Sequence, residues 1–316
     1  MCTRGPVGNP RDMHIVEVTD LTKRYGGHAA VDGVSFSVEE GEIFGILGPN
    51  GAGKTTTVES IAGLRRPDAG HIRVLGLDPQ RDRDRLRNIL GVQLQESELP
   101  ERMTVAEAVS LFASFYADPA DPATLIADLG LDEKRDTQYG KLSGGQKQRL
   151  SIALALVGKP RVAILDELST GLDPQARRET WDLIQSMRDH GVTVLLVTHL
   201  MEEAERLADR VAVIDAGRII AIDTPAGIVS RVNAEQKLRF RPSAPIEDRL
   251  LTDLAEVSSV KRAGAVVVVS GTGNLIQAVT SILAQHRIVA NDLRVEQANL
   301  DDAYLALTAR PAKELS

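Results

Sequence analysis

The chain has 316 residues, 43% of them hydrophobic, and a net charge of −7, which is the composition of a globular protein with room for two domains. The acidic balance argues against a nucleic-acid partner, because phosphate backbones attract basic surfaces. Cys2 is the only cysteine, so a disulfide within the chain and a cysteine-based metal site are excluded.

Residues 1–13 are rich in Gly, Pro and Arg and are predicted to form a disordered extension, not a secretory signal; Met13 is an alternative start to Met1. From 14 to 223, short aliphatic strands alternate with amphipathic helices. Apolar strands at 43–47, 161–165, 193–198 and 210–215 predict a mainly parallel sheet covered on both faces. The longest apolar runs are much shorter than the roughly 20 residues of a transmembrane helix, so any membrane span has to come from another chain.

A helical insertion is predicted at about 96–141, with an amphipathic helix over 105–116 behind Thr104 as its N-cap. Residues 224–316 change in character and predict a small α+β domain without a phosphate loop or a catalytic candidate. Its predicted strands are 237–241, 265–270 and 293–296, and its predicted helices are 246–254, 275–286 and 300–308.

A phosphate-binding loop is predicted directly after the strand 43–47. The pattern G-x-x-x-x-G-K-[ST] is matched here by Gly48, Pro49, Asn50, Gly51, Ala52, Gly53, Lys54 and Thr55. Glycines allow successive N–H groups to point at phosphates, at the positive end of the helix predicted over 55–64. Lys54 is expected to reach the β- and γ-phosphates, and the Thr55 hydroxyl to hold Mg²⁺. The alternative is a tight turn with an exposed lysine; the loop alone also leaves GTPases, kinases and recombinases open.

Polar residues follow three other predicted strands. Asp166 suits outer-sphere contact with Mg²⁺, and Glu167 can polarise an attacking water as general base. His199 can donate to the γ-phosphate, and Gln95 can offer its amide oxygen to Mg²⁺. Taken singly, the acids could be a helix cap or a solvated turn, and the histidine could be structural.

A second anion-binding nest is predicted about ninety residues after the first. Leu142 is followed by Ser143, Gly144, Gly145 and Gln146 at the start of a helical run. As an isolated pentapeptide this segment could be an ordinary helix cap.

Together these segments resemble the ABC ATPase family over about residues 14–223. The resemblance makes 48–56, including Thr56, the Walker A motif and 162–166 the Walker B strand. It assigns the remaining roles as follows: Glu167 is the catalytic glutamate, Gln95 lies in the Q-loop, His199 is the switch histidine, 142–146 is the signature, Asp173 ends the D-loop region that starts at Ser169, and Tyr25 stacks on adenine. For Tyr25, packing within a strand is the alternative. Leu168 departs from the family, which usually has proline there, and this leaves the geometry of the attacking water in question.

The resemblance implies that two copies of the chain sandwich two ATP molecules, each between Lys54 of one copy and Ser143 and Gly145 of the other. It also implies a multi-span permease as partner, at the cytoplasmic face of the membrane. The segments that begin at Thr224 and Asn299 resemble export ATPases of the daunorubicin-resistance type. The alternatives are a soluble ABC protein of DNA repair, chromosome structure or translation, and a nucleotide-binding resistance switch that transports nothing. A pair of different cassettes is the alternative to two copies of this chain.

Overall fold

The computed structural model describes residues 14–94, 99–231, 236–296 and 299–308. Contacts between Cα atoms divide the chain into two units, Met1–Pro225 and Ala226–Ser316, two residues beyond the boundary proposed from the sequence. The predicted extension at 1–13 lies outside the described residues, and so does Gln95. Within the described ranges, no helix has the length and apolar character that crossing a bilayer requires.

The first unit is built from nine strands and seven helices within its described part. The strands are β1 (Val16–Tyr25), β2 (His28–Val38), β3 (Ile43–Leu47), β4 (Ala69–Val74), β5 (Leu90–Gln93), β6 (Val162–Asp166), β7 (Thr193–Thr198), β8 (Arg210–Asp215) and β9 (Arg218–Asp223). The helices are α1 (Lys54–Ile61), α2 (Arg83–Arg87), α3 (Val105–Ala113), α4 (Pro122–Asp128), α5 (Gly144–Leu156), α6 (Pro174–Asp189) and α7 (Met201–Leu207). Helix α8 (Pro225–Arg231) begins where the two units divide.

The larger sheet of this unit has the order β5-β6-β7-β3-β8-β9, and only the edge strand β9 runs antiparallel to its neighbour. Every residue of β3, β6 and β7 is buried. One face packs against α3, α5 and α6, and the other packs against α1 and a second sheet. The predicted parallel sheet, covered on both faces, is therefore confirmed.

The second sheet, β2-β1-β4, is antiparallel and was not predicted. Its strands alternate apolar and polar residues only over short stretches, such as Val34, Phe36 and Val38 of β2. The pairing of β1 with β2 contains three register shifts, which interrupt this alternation. Phe36 of β2 stacks on Phe44 of β3, with 5.2 Å between ring centroids, and so joins this sheet to the larger one.

Helices α3 and α4 are found in the region of the predicted insertion, and α3 ends three residues earlier than predicted. Thr104 Oγ1 accepts a hydrogen bond from the Glu107 N–H, and Glu107 Oε2 accepts one from the Thr104 N–H, which is a complete capping box. Helix α3 ends at Ala113, because the next N–H groups bond to carbonyl oxygens three residues earlier and tighten the turn.

Helix α1, which follows the phosphate loop, also ends earlier than predicted. It ends at Ile61, not at 64, since the Leu64 N–H bonds to the Glu59 carbonyl five residues earlier.

The second unit has a β-α-β-β-α-β arrangement followed by a further helix. Its elements are β10 (Gln236–Pro242), α9 (Asp248–Thr252), β11 (Val257–Ala263), β12 (Val266–Gly271), α10 (Leu275–Gln285), β13 (Ala290–Glu296) and α11 (Leu300–Thr308). The sheet order is β11-β12-β10-β13, antiparallel throughout. Inward residues such as Leu238, Phe240 and Val269 form a core with α9 and α10. Strand β11 was missed because four of its seven residues are polar and none of the seven is buried.

Candidate active site

The phosphate loop spans residues 48–53, between the end of β3 and the start of α1. Gly53 has φ +99°, and a Cβ atom there would lie 2.2 Å from the Ala30 carbonyl oxygen. A Cβ atom at Gly48 would lie 2.1 Å from the Ile214 carbonyl oxygen. Both positions therefore require glycine, one for its backbone conformation and both for the close approach of other backbone.

The Lys54 side chain is only 4% exposed, and its amine faces the loop. Nζ donates to the carbonyl oxygens of Gly48 at 2.8 Å and Pro49 at 3.1 Å, and lies 3.8 Å from Glu167 Oε1. Burial lowers the pKa of Lys54, while the charges of Glu167 and Asp166 oppose that change. The first residue of α1 thus places a buried cation at the mouth of the loop.

Asp166, the last residue of β6, is fully buried beside Thr55. The Thr55 hydroxyl donates to Asp166 Oδ2 at 3.2 Å, whereas Oδ1 has no hydrogen-bond partner in the described part of the chain. Burial raises the pKa of Asp166 to about 6, against the Thr55 hydrogen bond, which lowers it. A hydroxyl beside an unpartnered buried carboxylate oxygen is a donor set that fits Mg²⁺.

Glu167 lies between the lysine and the histidine. Its Oε1 is 3.2 Å from His199 Nδ1 and 3.8 Å from Lys54 Nζ. The residue has φ +52°, which is costly for a non-glycine residue, and its N–H is held by the Val197 carbonyl at 2.9 Å. Because β3, β6 and β7 are adjacent and parallel, their carboxyl ends bring these groups to one edge of the sheet.

Leu168, where the family has proline, is 1% exposed and belongs to the core on the helical face of the sheet. The buried Leu168 side chain anchors the turn after Glu167. In the family, the rigid proline ring constrains this turn instead.

Gln93 is a site residue that sequence reasoning missed: its Oε1 accepts a hydrogen bond from the Asp166 N–H at 3.2 Å. A polar residue at the end of the buried strand β5 was the available signal.

The predicted second nest begins α5. Ser143 Oγ accepts from the Gln146 N–H at 3.2 Å, and Gln146 Oε1 accepts from the Ser143 N–H at 3.0 Å. Asp173 caps α6 in a similar way, through the N–H groups of Gln175 and Ala176, and these bonds lower the pKa of Asp173. Both helix starts line a cleft of about 470 Å³, together with Gly144 and Gly145. Among the described residues, this lining includes none of the phosphate loop.

Tyr25, at the end of β1, is 41% exposed and so is not part of the hydrophobic core. Its ring lies 5.4 Å from the Arg65 guanidinium carbon and 5.7 Å from Lys23 Nζ. These cation–π contacts hold the ring at the surface. Adenine stacking stays a prediction, with packing within the strand as its alternative.

The phosphate loop lies between a central parallel strand, β3, and a helix, and acidic residues lie at the end of β6, two strands away in the same sheet. This arrangement defines a P-loop nucleotide-binding enzyme. The family model described as ABC transporter matches residues 31–170. Nod factor export ATP-binding protein I of Ralstonia nicotianae (strain ATCC BAA-1114 / GMI1000) is 36% identical over 306 residues, 95% of each chain. The daunorubicin/doxorubicin resistance ATP-binding protein DrrA of Streptomyces peucetius is 35% identical over 318 residues, 98% of this chain and 96% of that one.

Solved structures agree with these relatives. An ATP-binding subunit of an ABC transporter has a TM-score of 0.62 at 29% identity, over 69% of this chain and 92% of that one. A dimeric ATP-binding cassette in a post-hydrolysis state, bound to ADP and Pi, has a TM-score of 0.60 at 25% identity. The match covers 66% of this chain and 98% of that one. The chain therefore belongs to the ABC transporter family, as an ATP-binding subunit that hydrolyses ATP. The resemblance and the fold class stated from the sequence are confirmed.

Proposed function

We propose that this chain powers export of a hydrophobic compound through a separate multi-span permease, using an ATP site that two copies of the chain complete. The names of its relatives, one in Nod factor export and one in daunorubicin/doxorubicin resistance, support an export role. The observation that carries the catalytic assignment is the position of Glu167 Oε1 between His199 Nδ1 and Lys54 Nζ.

The phosphate loop binds the triphosphate through the N–H groups of residues 50–53 and of Thr55 and Thr56 at the start of α1; Pro49 has no N–H to donate. Lys54 exchanges its bonds to the Gly48 and Pro49 carbonyls for bonds to phosphate oxygens, which are charged and therefore stronger acceptors. Tyr25 stacks on the adenine.

Thr55 and Asp166 would hold Mg²⁺, with Gln95 as the further ligand that the sequence suggests. When bound, the ion neutralises charge that develops on the phosphate oxygens. Asp166 is suited to this part because its Oδ1 is buried and has no partner among the described groups, while Gln93 fixes its backbone.

Glu167 takes the proton of the attacking water as general base. Its carboxylate is already oriented by His199 Nδ1, and the His199 Nε2 atom remains for a γ-phosphate oxygen. The backbone of Glu167 is held in an unfavourable conformation by β7, so the carboxylate is positioned before ATP arrives.

A second copy supplies the other wall of the site. Ser143, Gly145 and Gln146 lie at a helix start that is lined separately from the phosphate loop, and Asp173 shares their cleft. We assign this cleft to the γ-phosphate of ATP bound by the other copy. The dimeric cassette of similar fold, bound to ADP and Pi, supports such an arrangement.

The permease docks in a groove of about 580 Å³ beside the helical insertion, at the cytoplasmic face of the membrane. Phe112, Tyr116 and Leu86 give the groove an apolar lining, and Arg83, Asp84 and Arg87 supply its charged residues. Asp84 pairs with Arg87, so the groove suits an amphipathic cytoplasmic helix that presents an acidic residue to Arg83. The groove contacts both α2 and α3, so closure of the ATP site can move the permease.

Substitution Glu167→Gln tests the catalytic assignment. We expect phosphate release in a steady-state assay to fall at least about 100-fold, the range that general-base catalysis contributes, while ATP affinity changes by no more than a few-fold. Glu202→Gln, at an exposed site on α7, is the matched control. Phosphate release by Glu167→Gln at the unmodified rate would contradict the assignment.

Export is tested in inverted membrane vesicles that hold this chain and its permease. ATP-dependent uptake of an apolar drug is expected, and Glu167→Gln should abolish it. Equal uptake by vesicles with Glu167→Gln and with the unmodified chain would show that ATP hydrolysis by this chain does not power the transport.

A further inference from the structure

The outer face of the C-terminal sheet has a charge pattern that the ATP site does not explain. Helices α9 and α10 cover the face that carries Leu238 and Phe240, and alternation along β10 turns Lys237, Arg239 and Arg241 to the opposite face. All three side chains are exposed.

Cross-strand pairing extends this pattern over the whole sheet. Arg239 lies directly opposite Arg294 of β13, and on its other side opposite Val268, which in turn pairs with Lys261 of β11. The described strands of this face carry five cations, Lys237, Arg239, Arg241, Lys261 and Arg294, and two carboxylates, Asp292 and Glu296, for a net charge of +3. The chain as a whole is −7.

A cavity of about 290 Å³ is lined by residues of β10, β12 and β13. Its lining consists of Arg239, Phe240, Arg241, Val266, Asp292 and Arg294. Arg241 Nη1 is 3.7 Å from Asp292 Oδ2, which leaves two guanidinium charges of the cavity uncompensated. Within the described ranges neither the Arg239 nor the Arg294 side chain has a hydrogen bond or an ion pair, although two like charges directly opposite each other destabilise a sheet.

The cavity has the charge and size of a site for a phosphate group. Guanidinium forks bind phosphate oxygens in pairs, and a net charge of +2 matches a phosphate monoester dianion. The volume is below the 300–1,000 Å³ of pockets that hold drug-sized ligands. A single-stranded nucleic acid is disfavoured, because no aromatic ring lies on the outer face among the described residues; Phe240 is buried on the core side.

We propose that the outer face of the C-terminal sheet binds a phosphate monoester between Arg239, Arg241 and Arg294, with Lys237 and Lys261 extending the positive surface around it. The monoester belongs either to a lipid headgroup or to a soluble metabolite, and both present the same terminal phosphate. This site goes beyond the proposed transport function and does not depend on it.

Two probes with the same headgroup distinguish the sources. The full chain, with its nucleotide site saturated by ADP, is sedimented with vesicles of phosphatidylcholine containing phosphatidic acid, and is titrated with glycerol 3-phosphate in a calorimeter. Vesicles of phosphatidylcholine alone are the reference. Binding to the acidic vesicles alone identifies a lipid ligand, and binding of glycerol 3-phosphate identifies a soluble ligand; either result supports the site.

The double substitution Arg239→Gln/Arg294→Gln is expected to weaken the observed binding at least about 10-fold, since each removes charged hydrogen bonds to phosphate. Arg249→Gln/Arg287→Gln removes the same charge from exposed positions outside the cavity and should change binding by less than about 2-fold. Arg239→Lys/Arg294→Lys keeps the charge but loses the fork, so it should restore part of the affinity.

Hydrolysis of ATP should be equal in all three double variants, and unfolding curves confirm that each is folded. Equal weakening by the cavity pair and by the control pair would overturn the proposal, because it would show a general effect of charge. Failure of the unmodified chain to bind either probe would overturn it as well.

Discussion

In the ATP-binding unit, the charged groups of the site are buried and lie against opposite charges or hydrogen-bond partners, whereas the C-terminal sheet displays like charges side by side at its surface. Lys54 and Glu167 approach to 3.8 Å at the end of three buried strands. Arg239 and Arg294 lie opposite each other on exposed strands without such compensation. The first arrangement orients reacting groups before substrate arrives, and the second leaves charge available for a ligand to neutralise.

Loss of the buried cation is expected to have the largest effect on ligand binding. Lys54→Ala removes a donor that bonds to two oxygens, so ATP affinity should fall about 100-fold or more, and hydrolysis should become undetectable. Fluorescent-nucleotide titration measures the affinity. Lys159→Ala, at a surface ion pair with Asp118, is the control and should bind ATP normally. A small effect at Lys54 would mean that the loop N–H groups alone hold the nucleotide.

The burial of Asp166 should be visible in the stability of the metal-free chain. Its pKa rises from the ordinary value of 3.8 to about 6, so the native state holds this proton more tightly than the unfolded state. Unfolding free energy should therefore fall by about 3 kcal/mol as pH rises from about 4 to 6. Asp166→Asn should remove this decline while abolishing hydrolysis.

Urea unfolding in chelator at several pH values checks this prediction. Asp118→Asn, at an exposed carboxylate, is the control and should leave the pH profile unchanged. An Asp166→Asn chain whose stability still declines between pH 4 and 6 as in the unmodified chain would show that another group is responsible.

The local motifs of the first unit could be predicted because they depend on neighbours in sequence. The loop 48–55 and the Thr104 cap are examples, since a strand, a glycine turn and a helix start are each encoded within a few residues. The contact of Gln93 with Asp166 could not be predicted, because it joins residues 73 apart through the pairing of β5 with β6.

In the C-terminal unit, the helices could be predicted from the sequence more completely than the strands. Its helices α10 and α11 were predicted close to their observed bounds, because their apolar residues repeat with helical spacing. Strand β11 and the second sheet of the first unit, β2-β1-β4, were not predicted, since their apolar residues alternate with polar ones over only a few positions in each strand. The row formed by Arg239, Arg294 and Lys261 depends on cross-strand register, which the sequence does not reveal.

A buried hydrogen bond away from the catalytic centre joins helices α6 and α7. Trp181 Nε1 of α6 donates to Glu203 Oε1 of α7 at 3.0 Å, and both side chains are buried. Glu203→Ala leaves the indole N–H unpaired and should lower the unfolding free energy by about 1–3 kcal/mol. Trp181 is the only tryptophan, so its fluorescence in urea measures the effect directly. Glu202→Ala, exposed on the same helix, should change stability by less than about 0.5 kcal/mol.

The smallest effect is expected on the basic face. Arg294→Gln relieves repulsion with the Arg239 side chain opposite it and should raise the unfolding free energy of the C-terminal unit by about 0.2–1 kcal/mol. Thermal unfolding followed by circular dichroism checks this, with Arg287→Gln as the control. A loss of stability on Arg294→Gln would show that the two arginines are compensated, and the contrast between the units would then fail.

We propose that the phosphate loop is one wall of a site that a second copy of the chain completes. Light scattering of the Glu167→Gln chain tests this proposal, because ATP bound without turnover should convert monomers to dimers. Adding Ser143→Arg, which fills the cleft at the start of α5, should abolish dimers while ATP affinity stays within a few-fold; Ser281→Arg, exposed on α10, should leave them intact. Dimers that persist with Ser143→Arg, or a loss of ATP affinity as large as that of Lys54→Ala, would contradict the account.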